Sequence, residues 1–165
     1  MVGSGTKGFK SSSRTSSTGW LDRTLSPVLN TMQQRFVNVL GLDKTKLHHC
    51  DLAEQLQVVR YEYGQQYNPH HDFGEDSSGN YGQRFLTLLL YVVVPKQGGH
   101  TSFPKAFGGR GMRLKPPNRG GAVLFYSMLP DGNGDDLSLH GGEYVEGNKE
   151  KWICNLWVWD PDRDS

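Results

Sequence analysis

The chain has 165 residues, with 18 Lys plus Arg against 17 Asp plus Glu and 35% apolar residues; that is one ordinary domain with enough apolar material for a sizeable core. The near-balance of charge, without a basic stripe interleaved with aromatics, excludes the footprint of a nucleic-acid binder, and no apolar run approaches the roughly 20 residues of a membrane span. Cys50 and Cys154 form neither a zinc motif nor a disulfide framework, and one bridge or two buried thiols both fit them.

The polar start, MVGSGTKGFKSSS, lacks the apolar stretch of a secretory leader and reads as the cut end of a longer precursor. Residues 1–19, rich in Gly, Ser, Thr and Lys, read as a flexible arm or a substrate-side loop, and residues 20–165 as one catalytic domain. Val28, Leu29, Met32, Phe36, Val39 and Leu40 keep helical spacing behind the Ser26-Pro27 start, which predicts a helix ending at Leu40. His48 and His49 fall in a polar linker and read as solvated.

Beyond Leu52 the period changes. LQVVRYEY, RFLTLLLYVVV, HTSFP, GMRLKPP, GAVLFYSM and KWICNLWVWD are short, β-branched or aromatic, and punctuated by Gly, Pro and Asn. A mainly β body with a flanking helix (α+β) fits a sandwich or a jelly-roll barrel of antiparallel sheets.

The chemistry-bearing residues are His70, Asp72 and His140. Two positions apart on a strand share a face, so His70 and Asp72 reach one metal while His71 points away. His140, in a glycine-flanked segment, supplies the third donor. Two imidazoles and a carboxylate on one side of an ion are the donor set of a mononuclear Fe(II) site with open positions. A His-x-Asp pair alone is commonplace surface polarity; the aromatic strand before it, Pro69 and the turn-bounded His140 make this one stand out. His100 reads as facing out of a turn.

Lys151 opens an otherwise apolar strand, and the Gly-Asn turn signal before it predicts a hairpin that returns it toward the metal. An anionic ligand would satisfy a buried ammonium there; snorkelling into water is the competing reading, and Lys149 is a competing lysine.

Taken in order, RYEYGQQYNPHHDF, RFLTLLLYV, GGHTSFP, GGAVLFYSM and SLHGGEYVEGNKEKWICNLWVWD resemble the prolyl 4-hydroxylase family of Fe(II)/2-oxoglutarate dioxygenases over residues 58–160. The resemblance implies a double-stranded β-helix, a jelly-roll barrel with the metal at its open end. It implies hydroxylation of prolyl residues in a peptide or protein, at C4, coupled to oxidative decarboxylation of 2-oxoglutarate to succinate and CO2, with O2 consumed and ascorbate keeping the iron reduced. The same chemistry on another side chain or on free proline, or a non-catalytic binding module of the same fold, are the alternatives.

Carried across by position, the resemblance makes His70, Asp72 and His140 the iron ligands. It gives Lys151, Tyr61, Thr101 and Tyr91 to 2-oxoglutarate, and Tyr67, Arg84 and Trp157 to the peptide. Arg14–Gly19 and the Gly74–Gly82 loop are expected to close over that peptide. The chain departs from the family at Glu143-Tyr144, where Cys-Pro is common, and by one extra residue before Lys151. Relatives acting on collagen-like or cell-wall proteins work in the endoplasmic reticulum and secretory pathway and others in the cytoplasm; these residues favour neither.

Overall fold

The computed structural model describes residues 14–41, 53–73, 84–147 and 149–159; Cys50, His48, His49 and the Gly74–Gly82 loop lie outside them. The strands are β1 (Ser17–Leu21), β2 (Leu56–Tyr61), β3 (Tyr67–His70), β4 (Arg84–Val93), β5 (Gln97–Gly98), β6 (Thr101–Phe103), β7 (Met112–Leu114), β8 (Ala122–Tyr126), β9 (His140–Gly142), β10 (Val145–Glu146) and β11 (Lys151–Trp159). The helix α1 spans Pro27–Leu40.

The start of α1 follows its sequence signals. The Ser26 hydroxyl accepts the Leu29 N–H at 3.3 Å, Pro27 occupies the first turn where its missing donor costs nothing, and Gly41 closes the helix at φ 66°. Its apolar stripe, Leu29, Met32, Phe36 and Val37, packs on Leu86, Leu88, Leu156 and Val158. No helix among the described residues is long and apolar enough to cross a membrane.

One antiparallel sheet runs β1-β2-β11-β4-β8 and a second β3-β9-β6-β7. They face each other as the two layers of a jelly-roll double-stranded β-helix, with β5 and β10 paired separately. The central strands β4 and β11 are covered on both faces, which is why RFLTLLLYVV shows no alternation of apolar and polar residues. Leu86 and Leu88 face the helix; Leu89 and Tyr91 join Val59, Tyr61, Val145 and Ile153 between the sheets.

Three expectations change. Among the described residues no ladder joins the two main sheets, so the layers face each other without closing into a continuous hydrogen-bonded barrel. The arm expected to end at residue 19 is ordered from Arg14 onward. Ser17–Leu21 pair with Arg60–Leu56 in β2, and Arg14 forms an isolated bridge to Tyr67 in the other sheet. The hairpin expected before Lys151 does not form either. β9 pairs with β3 and β6, β10 with β5, and β11 with β2 and β4, so the chain crosses from one layer to the other between His140 and Lys151.

Candidate active site

His70 ends β3 and His140 begins β9, and the two are direct cross-strand partners. Antiparallel register therefore sets the imidazoles side by side, with ring centroids 4.4 Å apart. Asp72 lies just beyond β3 in a bend rather than within the strand, so its approach to the histidines comes from the chain turning inward and not from the alternation of a strand. One donor atom from each of the three lies within 4.8 Å of the others.

Each donor is oriented from behind. His70 Nδ1–H donates to the Asn68 carbonyl and His140 Nδ1–H to the Ser138 carbonyl, both at 2.9 Å, which leaves the Nε2 atoms turned toward Asp72 at 3.5 and 3.6 Å. The Asp72 Oδ2 accepts the Thr87 hydroxyl at 2.7 Å and the Trp157 indole N–H at 2.9 Å, while Oδ1 faces His70. Burial pushes the Asp72 carboxyl up, but the His70 hydrogen bond, the His140 charge and the Thr87 bond outweigh it and hold the group well below the ordinary carboxylate range. Burial pushes the His140 imidazole down, toward the neutral form that binds metals, against the opposing pull of Asp72. These residues fit a divalent transition metal: deprotonated donors, fixed tautomers and three ligands on one side.

Lys151, 1% exposed, stands at the start of β11 opposite Tyr61. Its ammonium lies 5.3 Å from the Tyr61 ring centre and 5.5 Å from that of Tyr91, and it makes no ion pair among the described residues. Burial depresses it to about 8, partly offset by the Glu143 carboxylate. Tyr91 shares a 2.5 Å hydrogen bond with Thr101 across the two sheets, and burial drives Tyr61 up to about 12. A side chain at Gly142 would begin 3.7 Å from the Tyr61 hydroxyl and 3.8 Å from Lys151 Nζ, so the glycine keeps the space before the ammonium open. A buried cation flanked by hydroxyls and left without a carboxylate is a receptor for an anionic group. Lys149 is exposed.

A cleft of about 160 Å³ contains both histidines, Asp72, Tyr61, Tyr67, Arg84 and Trp157. Tyr67 stacks on His70 at 3.7 Å and carries the Arg14 guanidinium 4.8 Å from its ring centre. Arg84 is held by Glu54 at 2.5 and 2.9 Å and lies 3.8 Å over the Trp157 ring. Trp157 thus has its face on Arg84 and its N–H on Asp72. His71 reaches Asp136 at 3.4 Å while still lining the cleft, and His100 is half-buried beside Glu143.

Sequence reasoning did not find Thr87, Arg14 or the indole bond to Asp72. Thr87, a lone polar residue in FLTLLL, carried a signal, because a hydroxyl in a run buried on both faces needs a partner. The nearness of Arg14 to Tyr67 had none, since it depends on a contact between segments 53 residues apart in the chain.

Facing antiparallel sheets carrying two histidines and a carboxylate on one side of an open position define a non-haem metal oxygenase. Residues 56–159 match the model of the 2OG-Fe(II) oxygenase superfamily, and the chain belongs to that superfamily. It is 36% identical to probable prolyl 4-hydroxylase 3 of Arabidopsis thaliana, over 88% of this chain and 54% of the relative. It is also 36% identical to prolyl 4-hydroxylase 1 of the same plant, over 92% and 56%. The chain therefore spans about half the length of these curated relatives. Among solved structures, the viral collagen prolyl hydroxylase of Paramecium bursaria Chlorella virus-1, in complex with 2OG, superposes with a TM-score of 0.71 at 29% identity, covering 88% of this chain and 79% of that one. The superfamily's Fe(II) fits the three-donor set of His70, Asp72 and His140.

Proposed function

We propose that this chain is a prolyl 4-hydroxylase, which hydroxylates C4 of prolyl residues in a peptide or protein while 2-oxoglutarate and O2 are converted to succinate and CO2. The observation that carries the reading is the three-donor set of His70, Asp72 and His140 in one small cleft, together with a buried Lys151 against Tyr61, which also lines that cleft. The relatives' names, given above, supply the substrate class.

In this reading His70, Asp72 and His140 hold Fe(II), and Lys151 pairs with the distal carboxylate of 2-oxoglutarate. Tyr61, Tyr91 and Thr101 offer hydroxyls to that co-substrate. The metal supplies binding of 2-oxoglutarate and activation of oxygen, and ascorbate keeps it in the Fe(II) state. Thr87 and Trp157 fix the Asp72 carboxylate through Oδ2, so Oδ1 would be the atom left to hold the ion. Tyr67, Arg84 and Trp157 line the peptide's approach. Stacked aromatic and guanidinium faces suit an extended proline-containing segment, whose polyproline II form loses little entropy on binding. The Arg84 charge is already paired with Glu54, so that surface offers planar contact more than a free cation.

The test is mass spectrometry of proline-containing peptides, poly-proline and collagen-like repeats among them, incubated with Fe(II), 2-oxoglutarate and ascorbate, with His140→Ala as control. A gain of one oxygen on proline, absent from the control, is the expected result. Succinate release without any oxidised peptide would reject the substrate class while leaving the co-substrate chemistry standing.

A further inference from the structure

The balanced total charge conceals a segregation along the chain. Between Pro95 and Pro130 the sequence carries six basic residues, Lys96, Lys105, Arg110, Arg113, Lys115 and Arg119, and no Asp or Glu. All six are exposed. Lys105 is paired with Asp136 and Arg113 with Glu143. Lys96, Arg110, Lys115 and Arg119 make no ion pair among the described residues, so this surface is left with unneutralised positive charge.

The same segment builds one open edge of the sandwich. Among the described residues β7 pairs only with β6 and β8 only with β4, so each is an edge strand of its sheet. Between them runs an apolar groove of about 320 Å³ whose walls include Phe103, Met112, Leu114, Val123 and Phe125. Its rim carries exposed Leu137, Leu124 and Tyr126. The opposite edge is laced shut: Thr15 and Gln66 exchange three hydrogen bonds, of 3.1 to 3.2 Å, and Arg14 bridges Tyr67. Exposed strand edges beside exposed apolar side chains are templates for pairing with another chain, and basic side chains choose which chain. Of the acidic groups nearby, Asp136 holds Lys105 and His71 and Glu143 holds Arg113; Asp135, which accepts the Leu137 N–H and lines the groove, keeps its charge, one carboxylate against four basic residues without an ion pair.

We propose that the β7–β8 edge is a docking surface for an acidic, extended segment of a partner polypeptide, with apolar side chains at alternate positions entering the groove and carboxylates meeting Arg110, Lys115 and Arg119. No residue of the groove is a metal donor, but the groove adjoins the site from behind: the Phe125 and Phe103 rings lie 4.6 and 5.7 Å from the His140 ring, and the Ser138 carbonyl accepts its Nδ1–H. Alternation is required because neighbouring side chains of an extended strand point to opposite faces.

The experiment is fluorescence anisotropy of a labelled twelve-residue peptide alternating Glu with Leu or Val, titrated with the full chain without metal or 2-oxoglutarate. Versions with Gln or Lys for Glu, and a twelve-nucleotide single-stranded DNA, are run beside it. Saturable binding of the Glu peptide is expected, at least tenfold tighter than the Gln version. Binding should weaken at least tenfold in the Arg110→Glu, Lys115→Glu, Arg119→Glu protein and severalfold in Leu137→Ser, which leaves every charge in place. A triple variant that binds as tightly as the parent overturns the proposal. So does DNA that matches the Glu peptide, since that would mark a bare polyanion site, or a Leu137→Ser protein with unaltered affinity.

Discussion

The metal donors and the buried lysine solve opposite electrostatic problems. At the metal end, the Asp72 carboxylate is buried among its own donors, Thr87, Trp157 and the two histidines, and each imidazole has its rear nitrogen bonded to a backbone carbonyl. At the lysine end, a cation of equal burial has two aromatic faces and no ion-paired carboxylate. The first arrangement is a preorganised set of ligands; the second holds a cost that only an anion relieves. A folded domain tolerates the second because function requires it, and the two ends should therefore respond differently to the same kind of substitution.

The largest effect should come from breaking the donor set. His140→Ala or Asp72→Ala is expected to abolish turnover, by on the order of a thousandfold or more, and to remove Mn(II) binding measured by calorimetry. Thr87→Val, close to isosteric, keeps all three ligands but strips one donor from Asp72, and should weaken metal affinity about 10- to 100-fold. Trp157→Phe should act in the same direction, and the two losses should not add, because both act on one oxygen.

At the other end the sign of a stability change reverses. Lys151→Met should raise the melting temperature of the metal-free protein, by on the order of 1 kcal/mol in stability, because it removes a buried, unpaired charge. Its pH dependence follows from the same depression. With a folded value of about 8 against 10.5 for an ordinary lysine, the unfolded chain binds more protons between those values, so this group makes the free protein more stable as pH rises through that window. The affinity for 2-oxoglutarate should move the other way and fall above pH 8 as the ammonium is lost. Urea melts and binding titrations across pH 7 to 10 check both, and parallel trends would sink the idea. The smallest change is expected from Tyr91→Phe, which deletes the bond to Thr101 and should cost about 0.5–1.5 kcal/mol, read from a denaturant midpoint.

What was legible in the chain followed local rules. The helix and its caps, the six strand blocks after Leu52, and the three metal donors all rest on spacing within a few residues or on resemblance. Asp72 comes within reach of the two histidines, but not on the geometric ground the sequence offered, since strand alternation stops at His70 and a bend delivers the carboxylate. Lys151 was likewise placed at the site by a hairpin that does not exist; a Gly-Asn signal marks a turn but not which strands the flanking segments join. β1 was invisible because STGWL is short and mostly exposed, and its pairing with β2 depends on contacts about forty residues away in sequence. Charge totals hid the basic edge for the same reason that composition hides any local pattern: an average over 165 residues erases a run of 36.

The separation of the two ends is the central claim, and calorimetric titration of Mn(II) and then 2-oxoglutarate into the wild-type and Lys151→Met proteins tests it most directly. The account predicts unchanged metal affinity in the variant and at least a hundredfold loss of 2-oxoglutarate affinity. Metal binding that falls together with 2-oxoglutarate, or 2-oxoglutarate binding that survives without the ammonium, would contradict it.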